Sequence, residues 1–175
     1  MKNNSELLQK AKGYAFLLLK FRLRSEREIR ERLQRKKFSA EIVQEALSFL
    51  KEKSFLDDAL FAREWISSRL KRPLALRRIG QELEAKGISE KIIQSQLGEA
   101  AKGYCEGAVI QQLAEEKIEK LRGIEPRKAK QRVYSYLLRR GFSPEAIIDA
   151  MNNQSFDVPR PKGRGLLRID TERRF

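Results

Sequence analysis

The sequence predicts an all-α fold of three tandem three-helix repeats, and two observations carry that prediction. One pattern is written three times, and its apolar residues are spaced at the helical period. The pattern is clearest from Ser25 to Leu47. Shifted by fifty residues, Ile29, Leu33, Phe38, Ser39, Ile42, Val43 and Leu47 fall on Ile79, Leu83, Ile88, Ser89, Ile92, Ile93 and Leu97. A further shift of fifty-four brings them onto Val133, Leu137, Phe142, Ser143, Ala146, Ile147 and Met151. A repeat of this length favours a row of modules over one core. We expect modules at residues 1–54, 55–100 and 101–153, a basic tail at 154–175 that is disordered when free, and an elongated molecule.

Each copy reads as a helix-turn-helix hairpin. Ile29 and Leu33 stand one helical turn apart, Lys36-Lys37 break the pattern, and Ser39 opens a second series at Ile42, Val43, Ala46, Leu47 and Leu50. Ser25 and Glu28 have capping-box spacing, and Ser39, Ser89 and Ser143 can each accept from the free N–H groups of a helix start. Pro144 suits a first helical position. Gly87 and Gly141 follow the first helix of their hairpins, where a left-handed backbone suits glycine. Lys37 holds that place in the first copy, so a strained or differently closed turn is expected there, costing roughly 1 kcal/mol.

In chain order, a first helix from Leu7 to Arg22 supplies the third wall of module one, with Leu7, Ala11, Tyr14, Leu18 and Phe21 on its core face. At the next junction Asp57 caps a helix, Asp58 sits at its positive end, and Leu56 and Phe61 have hydrophobic-staple spacing. Trp65 reads as an anchor between helices. The stretch Arg69 to Arg78 holds five cations around Pro73 and reads equally as a solvated face or a partner contact. Module three is expected to open with a helix from Glu99 to Leu121, whose Gly103 and Gly107 permit close packing. After the Gly123–Pro126 turn come Arg127, Lys128, Lys130 and Arg132, and Arg139-Arg140 close that helix. The tail from Pro159 carries no helical stripe and reads as an electrostatic arm.

With 38 Lys and Arg against 24 Asp and Glu, the chain carries a net charge of +14, which argues for an acidic partner, nucleic acid first. The single cysteine, Cys105, is read as a buried apolar residue and excludes an internal disulfide framework; with no histidine, no Cys/His zinc cluster can form. No cofactor or metal is expected. The longest apolar run, Tyr14 to Leu19, is too short to cross a bilayer, so a soluble, cytoplasmic protein without membrane contact is expected.

In order and spacing, several of these motifs resemble the RecX family of bacterial RecA regulators. The match rests on the Tyr14–Leu19 helix, Arg24-Ser25, the Phe55-Leu56-Asp57-Asp58 junction with Phe61-Ala62, Glu82-Leu83 with Lys86-Gly87-Ile88, and Leu138 to Ser143. It covers residues 10 to 151. The resemblance implies three modules in a curved rod and a non-enzymatic regulator. Such a regulator binds the RecA nucleoprotein filament, depresses its ATPase, strand-exchange and coprotease activities, and binds single- and double-stranded DNA. Lys37 and Arg72-Pro73-Leu74 depart from the family pattern, where glycine-containing turns are usual.

The expected mechanism is a basic concave face engaging a polyanionic helical partner, with the modules acting in series. Its candidate residues are Arg24, Arg27, Arg30, Arg69, Lys71, Arg72, Arg77, Arg78, Arg127, Lys128, Lys130 and Arg132. The chain is expected to act as a monomer. The rival reading is a non-specific architectural DNA-binding protein without a recombinase partner. Against base reading, the second helix of the first hairpin carries Glu41 and Glu45 and no evident Arg/Asn/Gln set. An enzyme such as a metal nuclease is disfavoured by dispersed carboxylates and the lack of a glycine-rich phosphate loop.

Overall fold

The structure, a computed structural model, describes residues 2–152. Among these residues stand nine helices and no strand: α1 (Lys2–Phe21), α2 (Glu26–Arg35), α3 (Ala40–Glu52), α4 (Asp58–Leu70), α5 (Leu76–Ala85), α6 (Glu90–Ala101), α7 (Glu106–Glu119), α8 (Pro126–Arg139) and α9 (Pro144–Asn152). The tail expected from residue 154 lies outside the described residues. Helices pack in trios, α1–α3, α4–α6 and α7–α9. The chain divides into two compact units between Cys105 and Glu106, so the first unit holds two trios and the second holds one.

The repeated apolar positions build the cores. In the first trio Ile29, Leu33, Val43, Ala46, Leu47 and Leu50 meet Leu8, Ala11 and Ala15 of α1. In the second, Ile79, Leu83, Ile88 and Ile93 meet Phe61, Ala62 and Ile66 of α4. In the third, Val133, Leu137, Phe142 and Ile147 are wholly buried, as are Ile110 and Ala114 of α7. Each Leu or Ile buried this fully is worth roughly 1.5–3 kcal/mol, so the third helix of each trio is held by burial rather than by helix propensity.

All three hairpin turns close alike. After α2 the Lys37 N–H donates to the Gln34 carbonyl (2.8 Å) and the Phe38 N–H to the Leu33 carbonyl (3.4 Å). Gly87 and Ile88 make the same pair of bonds to Glu84 and Leu83, and Gly141 and Phe142 to Leu138 and Leu137. This is the Schellman closure, which needs one left-handed residue. Gly87 (φ +80°) and Gly141 (φ +91°) supply it freely, while Lys37 is forced to φ +62°. The strain expected at Lys37 is therefore present, within an unchanged turn.

The structure corrects several local expectations. Phe21, the last residue of α1, is 77% exposed, whereas Ala11 of the expected face is buried with Leu8 and Ala15, and Leu7, Tyr14 and Leu18 pack against that core. The helix expected from Glu99 to Leu121 is two helices, α6 ending at Ala101 and α7 starting at Glu106. The break has a cause: the Tyr104 hydroxyl donates to the Leu74 carbonyl (2.8 Å), pulling the chain onto the α4–α5 connection. Gly103 thus lies in a turn, and neither it nor Gly107 has a neighbour that a Cβ would meet, so neither permits a close helix contact. Cys105, in the same turn, is exposed. Leu56 joins the first core and Phe61 the second, so they form no shared staple. Ser89 makes no side-chain cap, whereas Ser39 and Ser143 do.

Candidate nucleic-acid interface

Within the first unit, the start of α2 is docked to the end of α5. Ser25 is wholly buried; its Oγ accepts from the Glu28 N–H (3.2 Å) and donates to the Lys86 carbonyl (2.7 Å). One hydroxyl therefore caps one helix and ties it to the next trio. The return bond of a capping box is not made, because the Glu28 carboxylate is drawn to Arg22 (2.9 Å) and Lys86 (2.7 Å). Asp57 caps its own helix, accepting from the Ala59 and Leu60 N–H groups. Asp58 reaches across and accepts from the Glu26 N–H (2.8 Å). The Glu26 carboxylate holds Arg30 (2.7 Å) and Lys51 (3.0 Å). Gly87 closes the contact: a Cβ there would stand 2.4 Å from Cδ of Arg27.

The titrations follow from this packing. Burial alone would raise Glu26 and Glu28, but their cationic hydrogen-bond partners, Lys51 with Arg30 and Arg22 with Lys86, outweigh it and hold both below the usual carboxylate range. Burial dominates at Asp58 and raises it, against the bond from the Glu26 N–H. Trp65 is the expected anchor, with Nε1 donating to Glu82 (3.0 Å), its ring stacked on Phe61, and Arg69 and Lys86 over its face.

The twelve candidate cations fall into two groups. Arg24, half-buried, donates to the Leu18 carbonyl (3.3 Å), and burial followed by the charge of Arg22 lowers its pKa. Arg27 pairs with Glu31, Arg30 with Glu26, Arg69 with Glu82 (2.6 Å) and Lys128 with Glu125. Lys71, Arg72, Arg77, Arg78, Arg127, Lys130 and Arg132 are exposed and form no ion pair among the described residues. Arg77 and Arg78 lie in the first turn of α5 and Arg127 and Lys128 in that of α8, and neither turn contains an acid. Cations there oppose the helix dipole by about 0.3–1 kcal/mol each, so fold stability does not account for Arg77, Arg78 and Arg127, whereas Lys128 has Glu125 to answer it.

Three depressions collect these charges differently. A cleft of about 700 Å³ between the first two trios brings Arg27, Arg30 and Lys51 together, but with Glu26, Asp57 and Asp58. Lys71 meets Arg63 beside Ile66 and Leu70, with Glu99 in the same lining. In the second unit a groove of about 370 Å³ is bounded by Lys117, Leu121, Gln131, Arg132, Ser135 and Arg139, and holds no carboxylate. The sequence reading passed over Arg63 and Lys117, and assigned Arg139 to closing its helix. The spacing of Arg132, Ser135 and Arg139 places them on one helix face and could have revealed that group. Lys117 is brought in only by packing.

Exposed apolar residues are concentrated elsewhere. Phe16, Leu17, Phe21, Leu23 and Phe55 all belong to the first trio or the turn beyond it, leaving Leu138 and Ile148 as the other large exposed apolar side chains among the described residues. Phe16 meets Phe55 edge-on at 4.9 Å and Phe49 at 6.4 Å, and Lys12 lies over the Phe49 ring. Phe55 is presented by a fourth left-handed turn, with Ser54 at φ +56° and the Phe55 N–H bonded to the Leu50 carbonyl.

Family models for the first, second and third three-helix domains of RecX match residues 11–50, 57–97 and 106–151. Regulatory protein RecX of Haemophilus influenzae (strain PittEE) is 34% identical over 145 residues, covering 82% of this chain and 94% of that one. The chain belongs to the RecX family. Regulatory protein RecX of Clostridium botulinum (strain Alaska E43 / Type E3) is 30% identical over 161 residues, 88% of this chain and 74% of the relative. The crystal structure of RecX from Lactobacillus salivarius shares the fold with a TM-score of 0.74 at 19% identity, covering 85% of this chain and 97% of that one. Another RecX crystal structure gives 0.71 at 23% identity, covering 84% and 74%. Among the described residues no cluster of three metal-ligating side chains occurs, and no helix is long and apolar enough to cross a membrane.

Proposed function

We propose that this chain is a non-enzymatic regulator that binds the RecA nucleoprotein filament and depresses its recombinase, ATPase and coprotease activities. It acts in the cytoplasm as a monomer, with accessory binding to single- and double-stranded DNA and no cofactor. The observation that carries the reading is family membership across all three trios, in relatives named as regulatory proteins. The exposed aromatic pair Phe16 and Phe55, packed edge-on, supports a protein partner, since contiguous exposed apolar surface marks a contact and phosphate has no use for it. This pair is assigned to the filament's protein surface. The exposed, unpaired cations Lys71, Arg72, Arg77, Arg78, Arg127, Lys130 and Arg132 supply the DNA contacts, and each phosphate contact steepens the salt dependence by about 0.9 on duplex and 0.7 on single strands.

Those cations also favour a second reading, an architectural DNA-binding protein that needs no recombinase. The two separate in an ATPase titration of RecA on single-stranded DNA, with the regulator below filament stoichiometry and competitor DNA in large excess. Inhibition that persists under excess DNA is the expected result. Inhibition abolished by it would transfer the function to DNA competition.

A further inference from the structure

We propose that the groove between α7 and α8 in the second unit, bounded by Lys117, Arg132 and Arg139, is a site for the phosphate backbone of a nucleic-acid strand. The inference rests on the DNA-binding part of the function above and narrows it to one place.

Four features of the groove match that ligand. First, its six lining residues include three cations and no carboxylate, whereas the larger cleft of the first unit sets three carboxylates against three cations. An anion entering the groove displaces no internal partner. Second, Arg132 and Arg139 are exposed and form no ion pair among the described residues, so their guanidinium donors are available for the bidentate contacts that phosphate favours. Third, Gln131 and Ser135 place neutral hydrogen-bonding groups between the charges, suited to phosphate and sugar oxygens. Fourth, Lys117 lies 5.2 Å from the centre of the Tyr136 ring, which orders its stem before any ligand arrives.

The spacing selects a strand over an isolated phosphate. Arg132 and Arg139 are seven residues apart on one face of α8, about 10 Å along its axis. A single phosphate would have to draw the two guanidinium groups together against their mutual repulsion, whereas successive phosphates of a strand can meet each separately. The lining also holds no aromatic side chain and one aliphatic one, Leu121, so the groove offers no stacking platform and should be indifferent to base sequence.

The test is salt-dependent binding of the full chain to a fluorescent oligonucleotide of mixed sequence, in single- and double-stranded form. The groove variant combines Arg132→Gln with Arg139→Gln. A charge-matched variant combines Arg35→Gln with Lys53→Gln, two exposed first-unit cations in 3.5 Å surface pairs with Glu31 and Glu52. Gln is nearly as good a helix former as Arg, so unchanged thermal melting is expected to show that both variants fold. The groove variant should lower the magnitude of the log–log salt slope by about 1.8 on duplex and 1.4 on single strands, with a smaller change in the charge-matched variant. Equal losses would mean that affinity follows net charge and overturn the proposal, as would an unchanged slope. Displacement of the oligonucleotide by inorganic phosphate at matched ionic strength would reassign the groove to free phosphate and also overturn it. RecA ATPase inhibition, measured in parallel, reports on the regulatory reading alone: a slope loss in a protein that does not inhibit keeps the groove and removes the regulator.

Discussion

The start of α2 and the groove beside α8 are built on the same repeated hairpin, yet they use charge in opposite ways. Around α2, Arg22, Arg30, Lys51 and Lys86 are answered by Glu26 and Glu28, and two of the pairs, Lys51 with Glu26 and Lys86 with Glu28, join helices that lie far apart in sequence. Around α8, Arg132 and Arg139 are answered by nothing among the described residues. The repeat supplies the frame, and the local count of carboxylates decides whether a cation serves the fold or a partner. Net charge alone argues for an acidic partner without locating it.

That contrast can be broken at the junction. The largest effect is expected from Gly87→Val, which adds a Cβ 2.4 Å from Arg27 at φ +80° and should cost about 3 kcal/mol in urea unfolding. The sharper form pairs it with Gly123→Val, where φ is +88° but the space is open, so only the backbone cost of about 1–2 kcal/mol should be seen. Next, Ser25→Ala removes a buried cap and strands the Glu28 N–H and the Lys86 carbonyl, for a loss of about 2 kcal/mol in the same assay. Lys37→Gly should work in the other direction, raising stability by about 1 kcal/mol by relieving φ +62° in a turn whose counterparts are glycines.

The smallest effect is expected from pH, because the junction's carboxylates oppose one another. Glu26 and Glu28 have lowered values, so their stabilisation is complete above the ordinary glutamate value of about 4.3 and is lost as pH falls through their folded values. Asp58 is raised, so its burial penalty is present at neutral pH and is relieved as pH falls through its folded value. Denaturant midpoints should therefore change little down to about pH 4.3 and decline below it. Asp58→Asn keeps the acceptor for Glu26, removes the opposing titration and should steepen the decline.

Most of the frame was legible in the sequence because helices and their turns are local. The i, i+4 apolar pairs, Ser39, Ser143, Asp57, Gly87 and Gly141 each state their role within a few residues. What could not be read depends on distance in sequence. Glu28 resembles half of a capping box until Lys86, fifty-eight residues on, takes its carboxylate. Tyr104 continues a helical pattern until its hydroxyl finds Leu74. Phe21 falls on the predicted stripe of α1, of which Ala11 is buried and Leu7, Tyr14 and Leu18 pack against the core, but it is the last residue of the helix and lies exposed beyond that core. The candidate site was legible only in part, since listing cations by sequence cannot separate Arg69, committed to Glu82, from Arg72, which is not.

The central claim is a division of labour, in which the aromatic cluster of the first trio meets protein and the groove of the second unit meets phosphate. Hydrogen exchange on the full chain tests it most directly, measured free, with naked single-stranded DNA, and with the RecA filament. The account predicts protection of residues 117–139 in both complexes, and protection of residues 12–23 and 49–56 with the filament alone. Protection of the second unit in both complexes with the first trio unchanged in either would contradict it, and would leave a protein that meets the filament only through its DNA.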